Sequence, residues 1–75
     1  MKTKEIAGMT FKDISSEEYR VYQFADMEVR IEKPQWMNFN IKSGGHRVLD
    51  VDGISHYIPT GWRHLYWKSE NGFVF

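Results

Sequence analysis

Turn signals recur so closely along this chain that no long element fits between them. They fall at Ala25-Asp26, Lys33-Pro34, Lys42-Ser43-Gly44-Gly45, Asp52-Gly53, Pro59-Thr60-Gly61 and Asn71-Gly72. Several of the intervening segments alternate apolar with polar residues, the period of a half-buried strand. In 27–32, Met27, Val29 and Ile31 share one side and Glu28, Arg30 and Glu32 the other. In 35–41, Met37, Phe39 and Ile41 oppose Trp36, Asn38 and Asn40. The two-residue loop Ala25-Asp26 joins 19–24 to 27–32 as a hairpin. Pro34 ends that hairpin because proline removes a ladder donor.

Toward the N-terminus the pattern weakens. Met9-Thr10-Phe11-Lys12 alternates as a short strand, and residues 1–8 read as a fraying tail. Ser15-Ser16-Glu17-Glu18 has capping-box spacing, but Tyr19-Arg20-Val21-Tyr22 prefers strand, so at most one helical turn is expected near 15–19. Toward the C-terminus, Asn71-Gly72 predicts a turn returning Phe73-Val74-Phe75 to the sheet.

The stretch 45–67 organises the rest. Asp52-Gly53 predicts a type I′ hairpin, which sets Val51 opposite Ile54, Leu49 opposite His56 and Val48 opposite Tyr57. If Pro59-Thr60-Gly61 is a three-residue loop, Tyr57 falls opposite Arg63 and His56 opposite His64; a loop of two or four residues would swap the faces of the third strand. One face of that ribbon carries Leu49, Val51, Ile54, Ile58, Trp62 and Tyr66 as core, with His56 and His64 side by side. The other carries His46, Val48, Asp50, Tyr57, Arg63 and Trp67. The fold class is therefore mainly β: about 5–7 short strands in one strongly bent antiparallel sheet or small barrel, SH3-like or OB-like, forming a single domain over 1–75.

Composition narrows the functional classes. Ten basic and ten acidic residues cancel, which disfavours a non-specific polyanion binder. Without cysteine there is no disulfide and no thiolate metal site. No apolar run is long enough to span a bilayer, so the expected location is the cytoplasm, with no membrane partner. Ser55 and His56 are neighbours in a strand and point to opposite faces, and no nucleophile elbow surrounds them, so no catalytic residue is assigned and no enzyme is expected. His56 and His64 form a cross-strand pair without a third ligand, so neither a metal nor a cofactor is expected. The Gly44-Gly45 pair lacks the following helix and the spacing of a phosphate loop.

What remains is a binding surface. His46, Arg47, Tyr57, Arg63 and Trp67 are the candidate contact residues, since Trp, Tyr and Arg dominate interface centres. A protein partner or an identical chain is the expected ligand. Single-stranded nucleic acid is the alternative, with Tyr57 and Trp67 stacking bases and Arg63, Arg47 and Lys42 meeting phosphates.

The segment Ser43-Gly44-Gly45-His46-Arg47 through Ser55-His56-Tyr57-Ile58-Pro59-Thr60-Gly61-Trp62 resembles short uncharacterised proteins of tailed bacteriophages. The resemblance covers the C-terminal half and supplies no site residues. It implies a small accessory protein in the host cytoplasm that binds a host or defence component. It also implies a third class, a protein that sequesters a nucleotide signal.

Overall fold

The strand Glu17–Gln23 (β3) lies at the centre of the smaller of two sheets and, across one irregular register step, sends Glu17, Arg20 and Tyr22 toward the larger one. A computed structural model describes residues 2–70, and those residues form eight strands and no helix. They are β1 (Thr3–Ile6), β2 (Met9–Asp13), β3, β4 (Glu28–Glu32), β5 (Pro34–Phe39), β6 (His46–Asp50), β7 (Ser55–Ile58) and β8 (His64–Ser69). A five-stranded antiparallel sheet runs β1-β2-β5-β6-β7, and a three-stranded one runs β4-β3-β8. The all-β class is thus as expected, in two sheets rather than a closed barrel.

The core lies between the sheets. Tyr22, Ile31, Met37, Val48 and Ile58 are buried there with Ile14, and Phe24, Val29, Trp62 and Leu65 pack around them. Ile31 and Val29 enter from β4 while Glu28, Arg30 and Glu32 face water, as the alternation requires. Val21 is also fully buried, on the outer side of the small sheet between its cross-strand partners Arg30 and Tyr66.

One expectation changes near the N-terminus. Residues 3–6 are not a tail: they pair with β2 through Ala7-Gly8, whose φ angles of 51° and 77° give this turn two left-handed residues in a row. The capping-box match at 15–18 forms no helical turn. Glu17 N–H donates to Ile14 C=O in a single tight turn that Asp13 caps at Ser15 N–H. The expected return of 73–75 to the sheet lies outside the described residues.

The larger correction concerns 45–67. Gly53 alone in its turn has positive φ, +81°, so Asp52-Gly53 is not type I′. Gly53 N–H instead donates to Asp50 C=O, and Asp50 N–H to Ile54 C=O. That is a type I turn over 50–53 followed by a left-handed glycine, the usual three-residue hairpin. The added loop residue shifts the register by one: Leu49 pairs with Ser55, Val48 with His56, Arg47 with Tyr57 and His46 with Ile58. Side-chain direction has a period of two, so β6 turns over. His46 and Val48 face the core, and Leu49 does not. The next strand also departs from the expected ribbon. After Gly61, at φ +116°, the chain crosses to the other sheet, where β8 pairs with β3 and not with β7.

Candidate functional site

The most exposed part of the β6–β7 hairpin is a sheet edge, and its local chemistry fixes where that edge lies. Asp50 Oδ1 accepts from the N–H groups of Asp52 and Ile54, and Asp50 Oδ2 meets His56 Nε2 at 2.8 Å. The hydrogen bond from His56, with those two backbone donors, holds the Asp50 carboxyl below its ordinary pKa. The turn is thereby pinned and the register with it. Because Asp50 N–H bonds Ile54, the mutually bonded pairs further along are Val48 with His56 and His46 with Ile58. Ser55 and Tyr57 lie between those bonded positions and direct their N–H and C=O groups away from β6. Among the described residues no strand meets them.

Tyr57 is seated by the loop before β6. Its hydroxyl shares a 2.8 Å hydrogen bond with Ser43 Oγ, which also accepts from Gly45 N–H. A Cβ on Gly45 would lie 2.7 Å from the Tyr57 oxygen and 2.8 Å from Ile58 C=O, so this position requires glycine. Lys42 and Ser43 N–H groups turn to Asn40 Oδ1, and Gly44 N–H to Asn40 C=O. The loop is a seat for Tyr57, and its amides are not aimed at an anion.

Beside this edge runs a groove of about 470 Å³, with Tyr57, Ile58 and Pro59 on one bank and Phe24, Met27 and Val29 on the other. Met27 is 58% exposed and Tyr57 44%. The second bank belongs to the β3–β4 hairpin, so the groove lies between edge strands of both sheets. Edge β4 carries Glu28, Arg30 and Glu32, charges that blunt edge-to-edge pairing. Edge β7 has no charged residue or proline within it before Pro59.

The predicted site residues separate. Arg47 and Tyr57 do come together, the guanidinium 5.3 Å from the ring centroid. His46 is 6% exposed and lies inside, 2.6 Å from the Tyr22 hydroxyl through Nδ1. Arg63 is exposed in the crossing loop, its N–H bonded to Gln23 C=O. Trp67 faces inward on β8, opposite Arg20, whose guanidinium lies 4.8 Å from the ring. The shared face expected for Tyr57, Arg63 and Trp67 does not form, because β8 belongs to the other sheet. The histidines part for the same reason: His56 bonds Asp50, and His64 bonds Gln23 at 2.8 Å. Among the described residues no three His, Asp or Glu side chains converge as metal ligands.

A second constellation was illegible in the sequence. Glu17 and Arg20 form a buried bidentate pair at 2.7 and 2.9 Å. Arg20 Nη1 reaches the Tyr22 hydroxyl at 3.3 Å, and Tyr22 reaches His46. Burial works against the Arg20 charge, but Glu17 and Tyr22 more than offset it and the pKa rises. Burial likewise raises that of Tyr22, so the phenol keeps its proton. Burial first, then the nearby charges of Arg20 and Lys12, lowers His46 to about 4. His46 is therefore neutral at pH 7. The arrangement that satisfies every partner has Tyr22 accepting from Arg20 and donating to Nδ1. Spacing 17, 20, 22 in a strand with one irregular register step carries no recognisable signal.

No family model, curated protein or solved structure matches this chain. Fold and edge together define a small two-sheet β protein with an open apolar rim. No helix of the described residues is long and apolar enough to cross a membrane.

Proposed function

We propose that this chain is a non-enzymatic binding module that takes an extended segment of a protein partner as an added strand on β7. The observation that carries this is the free backbone of Ser55 and Tyr57 beside a groove where Met27 and Tyr57 are exposed. Strand addition draws affinity from main-chain hydrogen bonds and specificity from side chains that drop into neighbouring pockets. Each bond contributes about 1 kcal/mol net, so apolar contact with Met27, Phe24 and Pro59 has to supply the rest. A host or defence component of an infected bacterium is the partner class that the phage resemblance implies. A second copy of the chain, joined edge to edge, is the other protein occupant.

The test compares the wild-type chain with a Met27→Glu/Tyr57→Lys variant. Both substitutions are at exposed positions and should leave the fold intact. Partner capture is expected to fall at least tenfold, and amide exchange at Ser55 and Tyr57 to slow on binding in the wild type only. Capture that survives the double substitution, or leaves those two amides unprotected, rejects the proposal. Sedimentation of the free chain separates self-pairing from a foreign partner.

Single-stranded nucleic acid is the second reading, favoured by the outer face of the large sheet. Lys4 Nζ lies 4.3 Å from the Trp36 ring centroid, Arg47 lies over Tyr57, and Asn38 pairs with Arg47 between them. Such a row offers stacking platforms with cations close by. Nuclease-sensitive capture with steep salt dependence would favour it over strand addition.

A further inference from the structure

Between the sheets, away from the β7 groove and sharing no lining residue with it, lies a cleft of about 300 Å³. It opens between β2 and β5 on one side and β3 and β8 on the other. Its floor is the Glu17–Arg20 pair, and its apolar walls are Met37, Phe39, Leu65 and Trp67. Phe39 is 54% exposed at the mouth, and Trp67 is half-buried.

Two hydrogen-bond donors in this cleft have no carboxylate to answer them. The first is His46. Its Nδ1 is occupied by the Tyr22 hydroxyl, so the neutral ring carries its proton on Nε2. Every buried side-chain nitrogen and oxygen among the described residues has a hydrogen-bond partner, and Nε2 makes no hydrogen bond, so Nε2 reaches the open space that His46 lines. The second is Lys12, on the inner face of β2 opposite Met37. Among the described residues its ammonium has no ion-pair partner, and its charge is felt at His46. Arg20 contributes mainly field, since Glu17, Tyr22 and Met37 take four of its five N–H groups. Glu17 is neutralised by Arg20, and Asp13 is turned to Ser15 N–H.

The geometry points to this cleft as a site for a small flat aromatic anion, its ring against Phe39 and Met37 and its phosphate or carboxylate held by Lys12 Nζ and His46 Nε2–H. A volume of this order suits one ring system with a short anionic substituent and is at the lower end of small-molecule sites. The ring supplies apolar and stacking contact, and the anion selects by charge. The wild-type protein binds the ligand with His46 neutral, so no protonation step is needed at pH 7.

Heteronuclear NMR titration tests it, reading His46 Nε2 and the indole N–H of Trp67. The probes are adenosine 5′-monophosphate and indole-3-carboxylate, with adenosine and inorganic phosphate as halves of the first. Saturable shifts of both signals are expected with at least one ring-bearing anion, the better of the two telling phosphate from carboxylate. Either half alone should bind at least tenfold more weakly. Lys12→Gln and, separately, Phe39→Ala should each weaken binding about tenfold, or roughly 1.4 kcal/mol, while the rest of the spectrum stays folded. Absence of saturable shifts at millimolar probe overturns the site. So does binding that Lys12→Gln and Phe39→Ala both leave unchanged.

Discussion

Tyr22 on β3 donates its phenolic proton to Nδ1 of His46 on β6 over 2.6 Å, joining the two sheets by a hydrogen bond through the middle of the core. The same phenol oxygen accepts from Arg20. A polar relay thus runs from Glu17 to His46 between the two sheets.

His46 in the folded chain has its pKa lowered to about 4, against an ordinary value of 6.5. Below 6.5 the unfolded chain binds the proton first, so acid favours unfolding. The contribution is fully present above about 6.5 and is lost as pH falls toward 4, below which both states are protonated. Allowing for water that reaches Nε2, the loss is on the order of 2 kcal/mol. The imidazole nitrogen shifts of His46 should titrate with a midpoint near 4. A midpoint at the ordinary value would reject the buried neutral histidine.

Tyr22→Phe removes the hydroxyl and leaves Nδ1 of His46 and one N–H of Arg20 without a partner in the core. The expected cost is about 2–4 kcal/mol by urea denaturation, well above that of an exposed tyrosine. The His46 midpoint should move with it, which a purely steric effect would not produce.

Removing one member of the buried ion pair strands the other. Arg20→Leu should cost about 3–5 kcal/mol because Glu17, 4% exposed, keeps its charge in the core. Glu17→Leu combined with Arg20→Leu should cost clearly less than the sum of the two single changes. Additive costs in that cycle would show the two side chains to be independent.

The two glycines of the β6–β7 region respond differently to alanine. Gly53→Ala meets no atom within 4 Å but holds φ +81°, so about 1 kcal/mol of backbone strain is expected. Gly45→Ala has ordinary φ but places a methyl against Tyr57 and the Ile58 carbonyl. Its cost should exceed 2 kcal/mol, the range of overpacking. Tyr57→Phe should recover part of it, since the phenol oxygen is the nearest atom. Equal costs at both sites would discount the seat described for Tyr57.

How far the sequence disclosed this molecule depends on how local the deciding contacts are. The Ala25-Asp26 hairpin and the alternation of 27–32 are set by neighbouring residues and are found as expected, while the break falls at Lys33, whose φ is 47°, and Pro34 opens β5. The β6–β7 turn departs from the expected one by one residue, because Asp50 at its first position and Gly53 at its fourth match the type I preference as well as Asp52-Gly53 matches type I′. That single step turned His46 from a surface candidate into a core residue. The destination of β8 was beyond reach. Leu65, Tyr66 and Trp67 are apolar on both faces, so periodicity chooses neither face nor partner. Of the candidate contact residues Arg47 and Tyr57 share a surface, being cross-strand partners in the β6–β7 hairpin, whereas His46 on the same strand points to the opposite face.

The pairing of β3 with β8 ties residues 41 positions apart at Gln23–His64 and 52 apart at Glu17–Ser69. Its other neighbour, β4, follows after a two-residue loop. One flank of β3 can therefore zip within microseconds of collapse, whereas the other must wait for most of the chain to be in place. Assembly should be limited by that late closure, on the millisecond-to-second scale of proteins whose contacts are distant along the chain. Until it occurs, the inward side of β3, with its ion pair and phenol, stays wet.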